Sequence, residues 1–326
     1  MTTLTSLYRE MPPDTTDEFL EMITELEGRR KSQRLAEKKN QPVCTHFCGD
    51  VIAAEGISGH PGYRKRAPLR REGHHALQLA DEVESRISLG KCGLSSQQNV
   101  AYKTWKTWRK DNSADSLLQR LDRDDGRNVT EPEMRKLINV LSGLLFPTTS
   151  IDDKMKVDFE WQDWSETPQR IATYYHGNKG GPLISMCCFN QVGDEGYDNL
   201  GIVASGRIAT ILNGLVHAYL DCYACRCKGV LGSFEEDVEQ LAGHGRAWQR
   251  IAGSIERWSP RILGYPLDIH RFDSIVLNWY DWKHWPSRRE VESWQLDYYA
   301  TTEFDESDSD DEKGGEGEGG GESEEM

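Results

Sequence analysis

The chain has 326 residues, of which 37% are hydrophobic and 29% are charged, so much of its length must remain in contact with water. Its net charge of −15 is concentrated in residues 303–326, where twelve acidic residues and one lysine contribute −11 and leave −4 for the rest. No run reaches the ~18 apolar residues of a membrane span, and the first residues lack the apolar core of a secretion signal. These features argue against a membrane or secreted protein, and reduced thiols are expected for the eight cysteines.

The N-terminal region, residues 1–95, is predicted to be mostly disordered. Short amphipathic helices can form over residues 17–39 and 75–89, but the second half of the first is almost entirely polar. That half is therefore expected to lie on a surface or to remain free. A C-x-H-x-C segment at residues 44–48 brings three metal-binding side chains close in sequence, although zinc sites do not normally use this spacing.

A basic cluster follows within a linker rich in proline and glycine. It matches either a nuclear import signal or an arm that binds nucleic acid. A solvated linker accounts for the same residues, because short basic runs are common by chance. The candidate nucleic-acid-binding residues are Arg64, Lys65, Arg66, Arg70 and Arg71.

Residues 96–133 are predicted to form a helical lead-in to the main domain. Tyr102, Trp105 and Trp108 are spaced three apart and are interleaved with lysines. This pattern fits a stacking surface for single-stranded nucleic acid. It also fits a helix that buries one tryptophan and exposes its lysines, and this structural interpretation is favoured.

An aspartate-rich segment at residues 122–133 resembles the Ca²⁺-binding loop of an EF-hand. Its glycine, Gly126, is fifth counting from Asp122, whereas the EF-hand loop needs glycine at the sixth position. Thr130 followed three residues later by Glu133 matches a capping box at the start of a helix. A helix–turn–helix is therefore predicted here in place of a calcium site.

The main domain is predicted to span residues 134–285. It begins with an apolar helix, and three segments with strand character follow at residues 157–164, 171–175 and 183–189. Histidine-bearing helices come next, so the order predicts an α+β fold in which these helices pack on a short antiparallel sheet. The Gly- and Glu-rich tail, residues 300–326, cannot bury enough apolar surface to fold.

Two of these helices carry one histidine each. In the first, His217 lies on or near a stripe of apolar residues at helical spacing. The stripe consists of Ile208, Ile211, Leu212, Leu215 and Leu220. The second helix begins at Gly243-His244-Gly245, where the glycines let the backbone turn tightly and direct the imidazole inward. A zincin is built in this way, with its first two ligands four residues apart on one helix and a general-base glutamate between them.

These segments resemble the SprT-like family in the diverged form found in fungal proteins. The resemblance covers roughly residues 134–282, and it is carried by VDFEW, ATILNGLVHAYLDCYAC and GHGRAWQ. The family resemblance implies a zincin-type metalloprotease fold, in which an HExxH helix and a downstream histidine bind zinc. Some members of the family cleave proteins that are crosslinked to DNA in the nucleus.

By position, His217 matches the second histidine of the HExxH helix, and His244 matches the downstream histidine. Asn213 occupies the first ligand position and Gly214 occupies the general-base position. The resemblance therefore implies a catalytically inactive homologue, a pseudoenzyme that acts as a binding or scaffold domain with no cofactor or with weakly bound Zn²⁺. An active zinc metalloprotease is the alternative if Asp221, one helical turn after His217, completes a modified ligand set.

A third hypothesis is a DNA-associated interaction protein that uses the basic linker and the Trp/Lys segment. DNA or chromatin proteins are the expected partners, and the expected location is the nucleus or the cytoplasm. Three cysteines near His217, at positions 222, 225 and 227, are candidate thiolate ligands, although a loop of unligated cysteines explains them more simply.

Overall fold

The chain folds mainly into helices with one small sheet, which is the predicted α+β class. The computed structural model describes residues 12–30, 73–88, 94–111, 113–147, 155–166, 172–176, 181–189, 202–226, 234–278 and 285–296. Its helices are α1 (Thr16–Arg30), α2 (Ala76–Ser88), α3 (Ser96–Lys110), α4 (Ser113–Leu121), α5 (Glu131–Leu145), α6 (Ile202–Tyr223), α7 (Arg246–Leu263), α8 (Arg271–Leu277) and α9 (Arg288–Trp294). Its strands are β1 (Asp158–Gln162), β2 (Ala172–His176) and β3 (Pro182–Cys187).

The three strands form a mixed sheet in the order β1-β3-β2. β2 and β3 are antiparallel neighbours, but β1 pairs with β3 in parallel, with Phe159 opposite Ile184. The predicted all-antiparallel sheet is therefore wrong for one of its two pairings. The physical reason is the strand order: β3 lies in the middle of the sheet and β2 lies at one edge. The chain reverses direction from β2 to β3, so β3 runs in the same direction as β1.

Helix α6 forms the centre of the main core. The apolar stripe predicted from the sequence is confirmed, because all five of its residues have no exposed surface. The predicted capping box is also confirmed at the start of α5, where the backbone N–H of Thr130 donates to the Glu133 carboxylate at 2.9 Å. This cap fixes the start of α5, which packs against α6 and β1.

Helices outside residues 134–285 pack on the elements of that range. Helix α2 falls within residues 1–95, yet it buries Leu79, Val83 and Ile87 and packs along α7. Helix α1 joins a second apolar cluster with α8 and α9. The members of this cluster are Phe19, Ile23, Leu26, Leu241, Ile275, Trp285, Val291 and Trp294. Segments on both sides of residues 134–285 therefore contribute to the same compact unit, which ends at Leu296.

The aspartate-rich loop between α4 and α5 encloses a guanidinium group. The Arg207 side chain, which is 6% exposed, reaches from α6 into this loop. Its two terminal nitrogens donate to four backbone carbonyl oxygens, those of Leu121, Arg123, Asp124 and Cys188. We call this group of four carbonyls around Arg207 the Arg207 cradle. It fastens the N-terminal half of α6 to the predicted helix–turn–helix, which the structure confirms.

Candidate functional site

The candidate site lies where α6 meets the segment that leads into α7. His217 is in the C-terminal third of α6, and His244 immediately precedes Gly245, the N-cap of α7. Both imidazoles are half-buried, whereas their helical neighbours Val216 and Ala247 are fully buried. The structure thus brings together two histidines that are widely separated in the sequence, and it leaves each of them partly accessible.

Gly243 allows the two histidines to approach each other. Its φ is +95°, in the left-handed region that favours glycine, and two residues before it, Leu241 and Ala242, also have positive φ. A Cβ atom at Gly243 would lie 2.8 Å from Cε1 and 3.0 Å from Nδ1 of His217. Any side chain here would therefore be strained and would displace the imidazole of His217.

The ring nitrogens of the two histidines face each other. Nε2 of His217 lies 3.3 Å from Nε2 of His244, and Nδ2 of Asn213 lies 3.5 Å from the same atom of His244. Nδ1 of His244 is 2.9 Å from the carbonyl oxygen of Leu241, which can only accept a hydrogen bond. The proton of neutral His244 is therefore on Nδ1, and the lone pair of its Nε2 points toward His217 and Asn213.

Burial keeps both imidazoles neutral at pH 7. It is the larger cause that lowers the pKa of His217 well below its usual value, and the neighbouring His244 adds to the effect. Burial also lowers the pKa of His244 to about 4, against a small opposing effect of the Leu241 carbonyl. We refer to these two neutral residues as the histidine pair; their chemistry is that of nitrogen ligands or hydrogen-bonding groups.

Aromatic rings form the walls around the histidine pair. The ring of Tyr174 on β2 stacks on His217 at 5.7 Å, with an angle of 17° between the planes. The indole of Trp248 packs edge-on against His244 at 4.4 Å. Its buried Nε1–H has no hydrogen-bond partner among the residues that the structure describes. Sequence reasoning did not assign Tyr174 to the site, because no local signal links strand β2 to this turn of α6.

Asp221 is engaged by two other side chains. The hydroxyl of Tyr174 donates to Oδ2 of Asp221 at 3.0 Å, and Arg226 forms an ion pair with Oδ1. Burial, together with the charge of Asp221, raises the pKa of the Tyr174 phenol, so the phenol stays protonated and continues to donate. These contacts hold Asp221 as an anchor for Tyr174, whereas the sequence suggested it as a third metal ligand.

Gly214 lies against the sheet. A Cβ atom at this position would come within 2.7 Å of Cδ1 and 2.8 Å of Cγ1 of Ile184, which is 1% exposed. Glycine therefore lets α6 approach strand β3 closely, and this contact gives Gly214 a packing role. A glutamate would have no space here without displacing Ile184.

The distance between the two Nε2 atoms matches that between two nitrogen ligands of one tetrahedral zinc ion. Zn–N bonds of about 2.0–2.1 Å at the tetrahedral angle place two ligand nitrogens about 3.3–3.4 Å apart, and the observed separation is 3.3 Å. The third nearby group is the Asn213 amide, a poor zinc donor. No group of three or more His, Cys, Asp or Glu side chains suited to a metal occurs in the described ranges. The site therefore does not fit a catalytic zinc, which needs three protein ligands and an open position.

The other candidate residues from the sequence do not join this site. Arg64, Lys65, Arg66, Arg70 and Arg71, and the C-x-H-x-C segment at residues 44–48, lie outside the described residues. Cys225 is 5% exposed and Cys222 is half-buried, whereas Cys227 is also outside the described part. Of the aromatic residues on α3, Trp105 is 2% exposed and belongs to the core, as the structural interpretation predicts.

Comparisons of the chain with protein-family models, with curated proteins and with solved structures gave no significant match. Among the helices that the structure describes, none combines the length and the apolar character that crossing a bilayer requires.

Proposed function

We propose that this chain is a catalytically inactive homologue of zincin-type, SprT-like metalloproteases and that it acts as a binding domain in the nucleus or cytoplasm. The observation that carries the proposal is the contact of Gly214 with Ile184, at the position where a zincin places its general base. Two histidines meet in the arrangement expected for such a domain, while the proton-transferring carboxylate has no place beside them. General acid–base catalysis contributes about 10²–10⁴-fold to rates, so its loss alone removes most of the activity.

The ligand set supports the same proposal. Asn213 replaces the first zinc ligand, and its amide lies 3.5 Å from Nε2 of His244. Two imidazoles hold Zn²⁺ far less tightly than three ligands do, since each lost ligand removes a coordinate bond and part of the chelate effect. We infer that the histidine pair binds Zn²⁺ weakly and reversibly, and that a partner is bound where the half-buried side chains of Tyr174, His217 and His244 are partly accessible.

Zinc affinity provides the first test. Asn213→Asp keeps the shape of the side chain and adds an anionic oxygen ligand beside the pair, so it should tighten Zn²⁺ binding at least about tenfold. Isothermal titration with ZnCl₂ measures this change. Asn213→Ala is the matched control and should leave the weak wild-type affinity unchanged within a few-fold, whereas His217→Ala should abolish binding.

Peptidase activity provides the second test. Wild-type protein incubated with Zn²⁺ and unfolded protein substrates should give no cleavage above a metal-free blank. Stoichiometric zinc after exhaustive dialysis, together with cleavage that disappears in His217→Ala, would establish an active metalloprotease and overturn the proposal. In that case Asp221→Ala identifies the third ligand, because it removes bound zinc if the modified ligand set is correct.

A further inference from the structure

The turn that precedes His244 connects the histidine pair to the second apolar cluster. Leu241, in this turn, has no exposed surface, and its side chain is a member of that cluster. Its carbonyl oxygen accepts a hydrogen bond from the backbone N–H of His244 at 3.1 Å and lies 2.9 Å from Nδ1 of the same residue. One residue therefore joins the cluster to the imidazole whose protonated nitrogen it fixes.

The backbone of this turn adopts a conformation that its residues do not favour by themselves. Leu241 and Ala242 have φ values of +55° and +52°, in the left-handed region. Residues other than glycine rarely adopt this region, and they remain in it only where the surrounding packing fixes them. Because the side chain of Leu241 packs in the second apolar cluster, we attribute the position of its carbonyl oxygen to that cluster.

The same cluster also holds the first residue of α7. Nη2 of Arg246 donates to the carbonyl oxygen of Trp285, a member of the cluster, at 3.3 Å. Nε of Arg246 forms an ion pair with Oε1 of Glu290 on α9 at 3.1 Å. His244 therefore lies between two residues, Leu241 and Arg246, that are both attached to the cluster. A change in the cluster should reach the imidazole from either side.

Helix α1 supplies three members of the cluster. Phe19, Ile23 and Leu26 are buried and are spaced four and three residues apart, so they lie on one face of α1, which packs against α9. An isolated helix of 15 residues is only marginally stable in water, so this docked face keeps α1 helical. Residues 31–72 separate α1 from the segment that leads into α2, so α1 can leave the cluster without pulling on α2.

From these contacts we propose that Leu241 is a positioning residue for His244 and that the docking of α1 controls it. With α1 docked, the Leu241 carbonyl accepts the Nδ1 proton of His244, and the lone pair of Nε2 faces His217. When α1 leaves, Leu241 loses part of its packing, the turn relaxes, and the imidazole exchanges between its two tautomers. As a means of regulating partner binding at the histidine pair, this device rests on the proposed function, whereas the positioning of the ring does not.

Long-range ¹H–¹⁵N correlation spectra of the full chain at pH 7 test this proposal, with His244→Gln used to assign the signal of His244 among the nine histidines. Wild type should show the tautomer protonated on Nδ1. Phe19→Ser/Ile23→Ser removes the docked face of α1, so His244 should show averaged tautomers and at least about tenfold faster hydrogen exchange at its backbone N–H. The matched control, Asp17→Ser/Glu21→Ser, places the same residues on the exposed side of α1 and should keep the wild-type tautomer, with an exchange rate within about twofold.

Two further variants separate positioning from a general loss of structure. Phe19→Leu/Ile23→Leu keeps an apolar face on α1 and should give the wild-type signal of His244. The backbone N–H groups of α5, in the main core, should exchange at the wild-type rate in every variant. If the serine variant loses this protection as well, Leu241→Ala decides, because it leaves α1 unchanged and shortens only the side chain that joins the turn to the cluster.

Averaged tautomers of His244 with α5 still protected, in the serine variant or in Leu241→Ala, are the expected result. The Nδ1-protonated tautomer and wild-type exchange of His244 in either variant, with α5 protected, would overturn the proposal. All spectra are recorded without metal and without a partner. Peptidase activity of the wild-type protein would therefore overturn the proposed function and leave the outcome for Leu241 unchanged.

Discussion

Two regions of this molecule hold polar groups in an apolar core, and they differ in the hydrogen-bond partners of those groups. In the Arg207 cradle, one buried guanidinium donates to four backbone carbonyl oxygens. In the histidine pair, two neutral imidazoles direct Nε2 atoms at each other 3.3 Å apart, and the nearby indole N–H of Trp248 has no partner among the described residues. The first region consists of a charged donor with four acceptors, and the second consists of neutral rings beside one unpaired indole donor.

This difference separates a stabilising polar group from a binding one. A buried polar network in which every member has a partner rigidifies a fold, whereas groups with unused hydrogen-bonding capacity cost free energy unless a ligand compensates. The Arg207 cradle should therefore contribute to the free energy of unfolding. The histidine pair should contribute to ligand binding and little to stability.

The largest expected effect tests the first half of this contrast. Arg207→Met fills a similar volume but leaves four carbonyl groups without their charged donor, so it should lower the free energy of unfolding by about 3–5 kcal/mol. Urea unfolding followed by tryptophan fluorescence measures the loss. Arg123→Met, an exposed change in the same loop, is the control and should stay within about 0.5 kcal/mol of wild type. Similar values for both variants would show that the cradle is not a stabilising network.

A second, smaller effect tests why α6 carries glycine beside the histidine pair. Gly214→Ala places a methyl group 2.7 Å from Ile184 and should lower the free energy of unfolding by about 1–2 kcal/mol, despite the better helix propensity of alanine. Gly206→Ala, on the same helix with open space around it, should raise that free energy by up to ~1 kcal/mol. Thermal unfolding compares the two. In Ile184→Val the cost of Gly214→Ala should shrink, and an unchanged cost would exclude the proposed contact.

Local patterns were sufficient to predict much of the fold. The apolar stripe of α6 and the Thr130–Glu133 capping box depend on residues three or four apart, so the sequence displays them directly. Strand positions were also predicted, but their direction was not. The parallel pairing of β1 with β3 depends on which strand occupies the middle of the sheet, and no short segment contains that information.

The candidate site was likewise predicted from the sequence only in part. His217 and His244 were predicted to come together because one lies on or near the apolar stripe of α6 and the other lies between two glycines at the start of α7. The stacking of Tyr174, its hydrogen bond to Asp221 and the packing of Ile184 on Gly214 join segments that are distant in the chain. The sequence shows that Gly214 has no side chain, but only the structure shows that Ile184 of β3 fills the space beside it.

A third prediction concerns a half-buried ion pair on the outer side of the cradle loop, between Arg120 and Glu133. Arg120, and then the N–H and hydroxyl of Thr130, lower the pKa of Glu133 to about 2. Because the folded pKa lies below the unfolded value, this stabilisation is complete above about pH 4.5 and is lost as the pH falls toward 2. Glu133→Gln should lower the free energy of unfolding at pH 7 by about 1 kcal/mol, since about a third of each side chain is exposed and solvent screens the pair, and should flatten its acid dependence.

Urea unfolding between pH 2.5 and pH 7 measures this dependence. Glu239→Gln, at an exposed glutamate on another element, is the control and should keep the wild-type slope. If the free energy of unfolding of Glu133→Gln falls with acid as steeply as that of wild type, other carboxylates cause the acid dependence. Even the full effect of this half-buried pair should remain well below that of the buried Arg207 guanidinium.

The smallest expected change in stability tests the second half of the contrast. His217→Leu replaces a half-buried neutral imidazole by an apolar side chain against Tyr174 and Trp248, so the free energy of unfolding should change by less than about 1 kcal/mol. The same change should abolish Zn²⁺ binding in titration calorimetry, because one imidazole is left. A loss of several kcal/mol without ligand would instead make the histidine pair a structural element like the Arg207 cradle, and the distinction between the two regions would fail.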